Sequence, residues 1–189
     1  MKRLEEMSLV ELWQLFPIII KPYDGQYAGW YKEEKLNIIK SVGGKNIIRI
    51  DHIGSTSVPG LAAKPTVDML LQITEDCAME RLKLNLAKIE YIFSAQPKKP
   101  APHAMFNKGY TQNGFAEKVF HLHIRYKGNW PELYFCSYLR KHPEICREYE
   151  KLKYRLAVEY KNDRDKYTDK KTEFIKVYTE KAFLEIKRI

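Results

Sequence analysis

A turn rich in glycine and serine, followed by an isolated acid, is the part of the chain best suited to chemistry. Residues 54–60 end a β-branched stretch, and Asp68 lies thirteen residues after Ser55 in an otherwise apolar run. Glycine permits a ligand to approach the backbone, and a hydroxyl with freed N–H groups can hold an anion. A carboxylate in an apolar strand needs a metal, a basic side chain or backbone donors, because an unpaired buried charge is costly. The pattern indicates an anion site beside Asp68, with an ordinary turn and a buried ion pair as the alternatives.

Two histidines further along the chain are candidates for the same site. His121 and His123 alternate along a β-type segment, so their side chains point to one face. If that segment lies beside Asp68, two imidazoles and one carboxylate meet, a ligand set that favours zinc, iron or manganese over magnesium. A divalent metal of unknown identity is therefore expected, and a hydrogen-bonded pair without metal is the alternative. His52, at the end of the preceding strand, is a further candidate for this site.

The elements that position these residues follow from hydrophobic periodicity. Alternating, β-branched segments predict neighbouring strands over Ile47–Ile53 and residues 66–74, and further strands over 104–107 and 115–126. Apolar residues at helical spacing predict a helix over 26–41, another from Thr74 or Asp76 to about 90, and three helices after residue 128. The layout predicts a single α/β (α+β) domain over residues 1–189. Its mixed sheet is packed with helices, and its C-terminal third is helical.

The composition limits the class of protein. The chain has 189 residues and a net charge of +9, and 44% of its residues are hydrophobic, which suits one globular domain. This mix excludes a disordered tail, a collagen-like repeat and a disulfide-stapled module. The three cysteines form no C-x-x-C pair, which favours buried thiols, with a catalytic nucleophile as the alternative. Acids follow Met-Lys-Arg-Leu at the start and the apolar run 15–20 is short, so we expect a cytoplasmic protein without a membrane segment.

The basic residues are concentrated in the middle of the chain. Residues 94–127 hold six basic residues, including Lys98, Lys99 and Arg125, against one acid. Such a segment can meet nucleotide phosphates, RNA or only water. The C-terminal charges alternate in sign along predicted helices, which is typical of a solvated face.

Six motifs resemble the GrpB family, also called UPF0157, over roughly residues 18–180. They are residues 22–24, 52–70, 121–124, 138–144, 149–153 and 163–171. The resemblance implies the nucleotidyltransferase (polymerase-β-like) fold. In that superfamily a first strand ends in Gly-Ser, and an Asp-x-Asp/Glu pair about a dozen residues later holds divalent metal against a nucleotide triphosphate. Gly54, Ser55 and Asp68 match this pattern, whereas Leu70 stands where the second acid is expected.

The resemblance implies a site for a nucleotide or phosphorylated small molecule. Asp68 is the candidate catalytic residue, and the candidate metal ligands are Asp68, His121 and His123. The candidate substrate-binding residues are Gly54, Ser55, Ser57, Lys64, His52 and Arg125.

Three functions stay open at this stage. One is nucleotidyl transfer with an incomplete acid triad. Another is a non-catalytic nucleotide-binding or regulatory module, for which the fusion of some family members to dephospho-coenzyme A kinase suggests a link to coenzyme A synthesis. The third is the binding of a nucleic acid, namely RNA, through the basic segment 94–127.

Overall fold

A computed structural model describes residues 2–96, 99 and 102–187; Lys98 lies outside the described residues. The helices in the described part of the chain are α1 (Leu9–Leu15), α2 (Gln26–Val42), α3 (Met79–Ala87), α4 (Pro131–Lys141), α5 (Pro143–Glu159) and α6 (Arg164–Ile186). The strands are β1 (Ile47–Ile53), β2 (Val67–Ile73), β3 (Ile92–Ser94), β4 (Ala104–Thr111) and β5 (Gly114–Tyr126). A short 3₁₀ turn, Ser55–Ser57, follows β1. None of the helices described is long and apolar enough to cross a membrane.

The strands form one mixed sheet in the order β1-β2-β5-β4-β3. Strands β1 and β2 are antiparallel neighbours, as the sequence predicts, and the α/β class is confirmed. Strand β5 runs parallel to β2, with His121 opposite Asp68 and His123 opposite Leu70. This register brings the candidate acid and both candidate histidines onto two adjacent strands.

One face of the sheet carries the main apolar core. Every second residue of β2 and β5 points to this face, because side chains alternate along a strand. These residues pack against apolar side chains of α2 and α3. The cluster includes Val67, Met69, Leu71 and Ile73 of β2, Phe120, Leu122 and Ile124 of β5, Tyr27 and Ile38 of α2, and Leu82 and Leu86 of α3.

The opposite face is partly polar and lies under the C-terminal helices. Leu70 of β2 packs on this face with Ile53 and with Cys136 of α4. A separate apolar cluster joins Val58 and Leu61, which follow β1, to α4, α5 and α6. The C-terminal helices therefore pack against the segment that carries the predicted anion site.

The structure differs from the sequence-based prediction mainly at element ends. Helix α3 begins at Met79 rather than at residue 74 or 76, and β4 extends beyond residue 107 to Thr111. Helix α1 was not predicted, although Ser8 and Glu11 form a capping box that marks its start. The other helices match their predicted positions within a few residues.

Candidate functional site

A cleft of about 1170 Å³ separates the polar sheet face from the C-terminal helices. The predicted residues that line it are Gly54, Ser55, Lys64, Asp68, His121, His123 and Arg125. Helices α5 and α6 add residues on the opposite wall, among them Lys153, Arg164 and Lys171. The cleft therefore combines a sheet floor that the sequence predicts with a cationic wall of which the sequence predicts only Lys64.

The turn after β1 is built around Gly54. This residue has a φ of +69°, a conformation that favours glycine. A Cβ atom at this position would collide with the carboxylate of Asp68. Glycine is therefore required both by the backbone conformation and by the close approach of Asp68.

Asp68 is joined to α6 through His121. His121 Nδ1 lies 2.9 Å from Asp68 Oδ1, and its Nε2 lies 3.1 Å from the Arg164 guanidinium. Arginine can only donate, so Nε2 accepts and the proton of the neutral ring lies on Nδ1, which donates to Asp68. The hydroxyl of Tyr110 lies 2.7 Å from the same Nε2 atom. This series of hydrogen bonds fixes the position of the carboxylate at the floor of the cleft.

Burial and hydrogen bonding together keep Asp68 ionised and His121 neutral. Burial opposes ionisation of Asp68, but the hydrogen bond from His121 and the nearby imidazole of His123 outweigh burial and hold its pKa well below the usual range. Burial lowers the pKa of His121 to about 4, against the opposing effect of Asp68. The pair is thus a carboxylate that accepts from a neutral imidazole.

The arrangement does not fit the predicted metal centre. Both ring nitrogens of His121 already face hydrogen-bonding partners, one of them a guanidinium that would repel a cation. His123 Nε2 lies 3.9 Å from Asp68 Oδ1. In the described residues no group of three or more His, Cys, Asp or Glu side chains is placed to hold a metal ion. The close approach of Asp68 to both histidines is therefore better described as a hydrogen-bonded cluster.

Two lysines flank a buried tyrosine on the cationic wall. The Nζ atoms of Lys64 and Lys171 lie 5.6 Å and 4.2 Å from the ring centre of Tyr167. Burial, followed by repulsion from Arg164 and Lys171, lowers the pKa of Lys64 to about 7. Burial likewise lowers the pKa of Lys171 to about 8. Positive charge is therefore concentrated here and only partly compensated.

Lys153 of α5 reaches the Gly-Ser turn from the side of the helices. It is only 2% exposed, and its Nζ atom lies 3.1 Å from Ser55 Oγ and donates to the carbonyl of Ala62. The C-terminal charges were predicted to be solvated, which is wrong for Lys153. The motifs 149–153 and 163–171 of the family resemblance contain Lys153, Arg164 and Lys171, so a signal for the cationic wall was present in the sequence.

Two predicted substrate-binding residues lie outside the cleft. His52 follows the alternation of β1 to the face opposite Ile53, where its ring stacks on Tyr31 with centroids 4.9 Å apart. The Ser57 hydroxyl donates to the carbonyl of Gly54 and accepts from Arg140. His52 Nε2 also lies 3.1 Å from Thr56 Oγ1 in the turn, so both side chains support the turn and neither lines the cleft.

Arg125 lies near Trp130 at the cleft wall. It is buried, its guanidinium carbon lies 5.5 Å from the Trp130 ring centre, and its Nη2 atom lies 3.4 Å from Glu132 Oε1. Burial lowers its pKa, against the effect of Glu132. This part of the cleft combines an indole, a guanidinium and a carboxylate.

Other basic residues of segment 94–127 are used in ion pairs. Lys108 contacts Glu34 at 3.0 Å, and Lys118 contacts Glu33 at 2.7 Å. Within the described residues, Lys99 lines the cleft. The segment therefore does not present its described cations as one continuous free surface.

Comparison with known proteins identifies the class to which this fold and cleft belong. The family description "GrpB protein" matches residues 17–181, so the chain belongs to the GrpB family. It is 34% identical over 180 residues to the UPF0157 protein YqkA of Bacillus subtilis, covering 92% of this chain and 50% of YqkA. It is 27% identical over 163 residues to the glutamate-rich protein GrpB of Alkalihalophilus pseudofirmus, covering 84% of this chain and 91% of that protein.

A third relative and a solved structure extend this comparison. The chain is 36% identical over 128 residues to the UPF0157 protein PA4798 of Pseudomonas aeruginosa, covering 67% of this chain and 52% of the relative. The chain thus spans about half the length of YqkA and PA4798. The crystal structure of conserved protein GrpB from Enterococcus faecalis has a TM-score of 0.78 and 28% identity, covering 89% of this chain and 99% of that one.

Proposed function

We infer that the cleft binds a nucleotide or a related phosphorylated small molecule. The observation that carries this proposal is the convergence of Lys64, Arg164 and Lys171 on one cleft wall beside the Gly-Ser turn. Among the described residues, Lys64 and Lys171 form no ion pair within 4.0 Å, and the pKa of each is lowered. An anion in the cleft would relieve the repulsion between these cations and stabilise their charged forms.

The size of the cleft favours a ligand larger than a single phosphate. Pockets for small organic ligands usually have volumes of roughly 300–1,000 Å³, and this cleft is of the same order. The indole of Trp130 and the guanidinium of Arg125 add flat surfaces suited to a base or another ring. A ligand with a planar group and two or more phosphates uses both kinds of surface.

The environment of Leu70 favours a binding module over metal-dependent nucleotidyl transfer. Leu70 is 0% exposed and packs with Ile53 and Cys136. It occupies the position where the superfamily pattern has a second acid, and this position is part of an apolar cluster. Asp68 is therefore without the neighbouring carboxylate that two-metal phosphoryl transfer uses to bind its ions.

Calorimetric titration of sodium pyrophosphate and ATP into the protein tests this proposal. We expect both to bind at pH 6.5. Lys171→Met should weaken binding by about tenfold, which corresponds to ~1.4 kcal/mol for one lost charged contact. Lys170→Met is the matched control. Lys170 is exposed on the same helix, and its substitution removes the same charge. It should change the affinity by less than about twofold, because an exposed charge is screened by solvent and salt.

The pH dependence of binding is a second test. Lys64 and Lys171 lose their protons near pH 7 and 8 in the free protein, so affinity should fall as the pH rises from 6.5 to 8.5. The proposal is wrong if pyrophosphate, nucleotides and coenzyme A precursors all fail to bind, with and without divalent metals. Binding of RNA alone, with a steep salt dependence, would replace it with the nucleic-acid hypothesis.

A further inference from the structure

The contact between Ser55 and Lys153 joins a hydroxyl that lines the cleft to a buried amine. Ser55 lies in the 3₁₀ turn after β1, and Lys153 approaches it from α5 at 3.1 Å. Both residues line the cleft. The anion-binding wall described above does not require this contact, so its chemistry is a separate question.

The hydrogen-bond partners of Lys153 can serve either protonation state of its amine. A neutral amine has two N–H groups and one lone pair. One N–H donates to the Ala62 carbonyl, and the peptide N–H of Ala62 is held in turn by Glu150 at 3.3 Å. In the structure Nζ also donates to Ser55 Oγ at 3.1 Å, and when the amine is neutral the Ser55 hydroxyl can instead donate to its lone pair across the same contact. This geometry lets Lys153 take the hydroxyl proton.

Some of the groups around Lys153 lower its pKa and others raise it. Burial, then repulsion from Lys171 of α6, lowers its pKa to about 7, while Glu150 and Cys146 of α5 oppose that shift. The ring of Tyr149 lies 4.8 Å from the Nζ atom, and the Tyr149 hydroxyl interacts with Ser55. Near neutral pH a substantial fraction of Lys153 is therefore unprotonated.

We propose that Ser55 is a nucleophile activated by Lys153 and that it attacks the phosphorus of a phosphoric ester or anhydride bound in the cleft. The Ser55 Oγ–P bond forms as the bond from phosphorus to the leaving oxygen breaks, and the leaving group departs with that electron pair. The hydroxyl proton passes to Lys153 Nζ. The product is a phosphoserine ester that water or an acceptor hydroxyl then cleaves. The substrate class rests on the proposed function, whereas the reactivity of Ser55 does not.

Diisopropyl fluorophosphate tests this reactivity without needing the natural ligand. Attack by Ser55 forms an Oγ–P bond, breaks the P–F bond and releases fluoride, and mass spectrometry locates the adduct. We expect one adduct on Ser55 of the wild-type protein, with none on Ser57. The rate should rise with pH through about 7 and then level off, following deprotonation of Lys153. Absence of the adduct overturns the proposal. A labelling rate with no inflection below about pH 9 also overturns it, because an ordinary serine or an unperturbed lysine loses its proton only above that pH.

Substitutions in α5 distinguish a loss of Ser55 activation from a loss of folding. Lys153→Met should lower the labelling rate by at least about a hundredfold, the usual contribution of a general base. Lys153→Arg, which keeps the charge but does not give up its proton, should have the same effect. Lys151→Met is the matched control, since Lys151 is exposed on the same helix, and it should label like the wild type. Wild-type labelling by Lys153→Arg would overturn the role of Lys153.

The same samples distinguish this inference from the proposed function. Pyrophosphate binding without a Ser55 adduct removes the nucleophile and leaves the binding site. An adduct without pyrophosphate binding removes the phosphorylated ligand and leaves a reactive serine.

Discussion

At the scale of single residues, the site depends on how closely Asp68 can approach the turn after β1. The carboxylate is 29% exposed, accepts from His121 and lies against the backbone of Gly54. A glycine at residue 54 leaves the space that this carboxylate needs. Small changes at this point should therefore affect both stability and ligand binding.

Two glycine substitutions separate backbone strain from the collision with Asp68. Gly54 and Gly60 both have positive φ values, +69° and +79°, but a Cβ at Gly60 meets nothing within 4 Å. Gly60→Ala should cost ~1 kcal/mol, the penalty for alanine in this conformation. Gly54→Ala should cost about 2 kcal/mol more, because the methyl group also displaces Asp68. Urea unfolding measures both, and equal costs would contradict the close approach of Asp68.

Two histidines, one buried and one half-buried, make a prediction about acid stability. The pKa values of His52 and His121 are lowered from 6.5 to about 4, in each case first by burial. Between these values the unfolded chain binds protons that the folded chain does not, so the free energy of unfolding should fall as the pH drops from 6.5 to 4. His52→Asn should make this dependence less steep. Urea unfolding at several pH values measures the slope, and an unchanged slope would contradict the neutral state of the half-buried His52.

At the scale of elements, the alternation along β2 assigns adjacent side chains to different environments. Val67 and Met69 enter the main core, whereas Asp68 and Leu70 face the C-terminal helices. Only Asp68 of this second pair meets polar partners. A second acid at residue 70 would therefore place a charge in an apolar cluster.

Leu70→Asp tests this description of β2. The new carboxylate would be buried against Ile53 and Cys136, so we expect a loss of at least ~3 kcal/mol in the free energy of unfolding. Leu70→Met keeps the volume and apolar character and should cost less than about 1.5 kcal/mol. Chemical denaturation of both variants provides the measurement. A stable Leu70→Asp protein that binds magnesium more tightly would instead revive metal-dependent transfer.

At the scale of the whole molecule, the sheet separates two helical layers with different roles. Helices α2 and α3 bury the apolar face, while α5 and α6 bring cations over the polar face. The shape of the cleft therefore depends on how the C-terminal helices pack on the segment after β1. That packing is provided by the apolar cluster of Val58 and Leu61 with α4, α5 and α6.

Hydrogen–deuterium exchange should detect this division. Pyrophosphate should slow amide exchange in residues 54–64 and in the first two turns of α6, because it contacts the turn and the cationic wall together. Exchange in α2, on the far side of the sheet, should change little and serves as the internal control. Equal protection of both layers would point to global stabilisation rather than to binding in the cleft.

Local patterns were sufficient to predict most of the elements and much of the sheet floor of the cleft. Alternation and turn residues indicate β1, β2 and β5, and period two places His121 and His123 on one face. The family resemblance added Gly54, Ser55 and Asp68 as parts of one motif. These features depend on neighbours in sequence or on a known motif, so one chain is enough to find them.

The tertiary structure alone decided what surrounds these residues. The packing of α5 brings Lys153 Nζ to 3.1 Å from Ser55 Oγ, although the two residues are far apart in sequence. The packing of α6 likewise brings the Arg164 guanidinium to 3.1 Å from His121 Nε2. With this contact, both nitrogens of His121 have hydrogen-bonding partners. Charge periodicity cannot reveal such contacts, because it does not record which face of a helix another part of the chain covers.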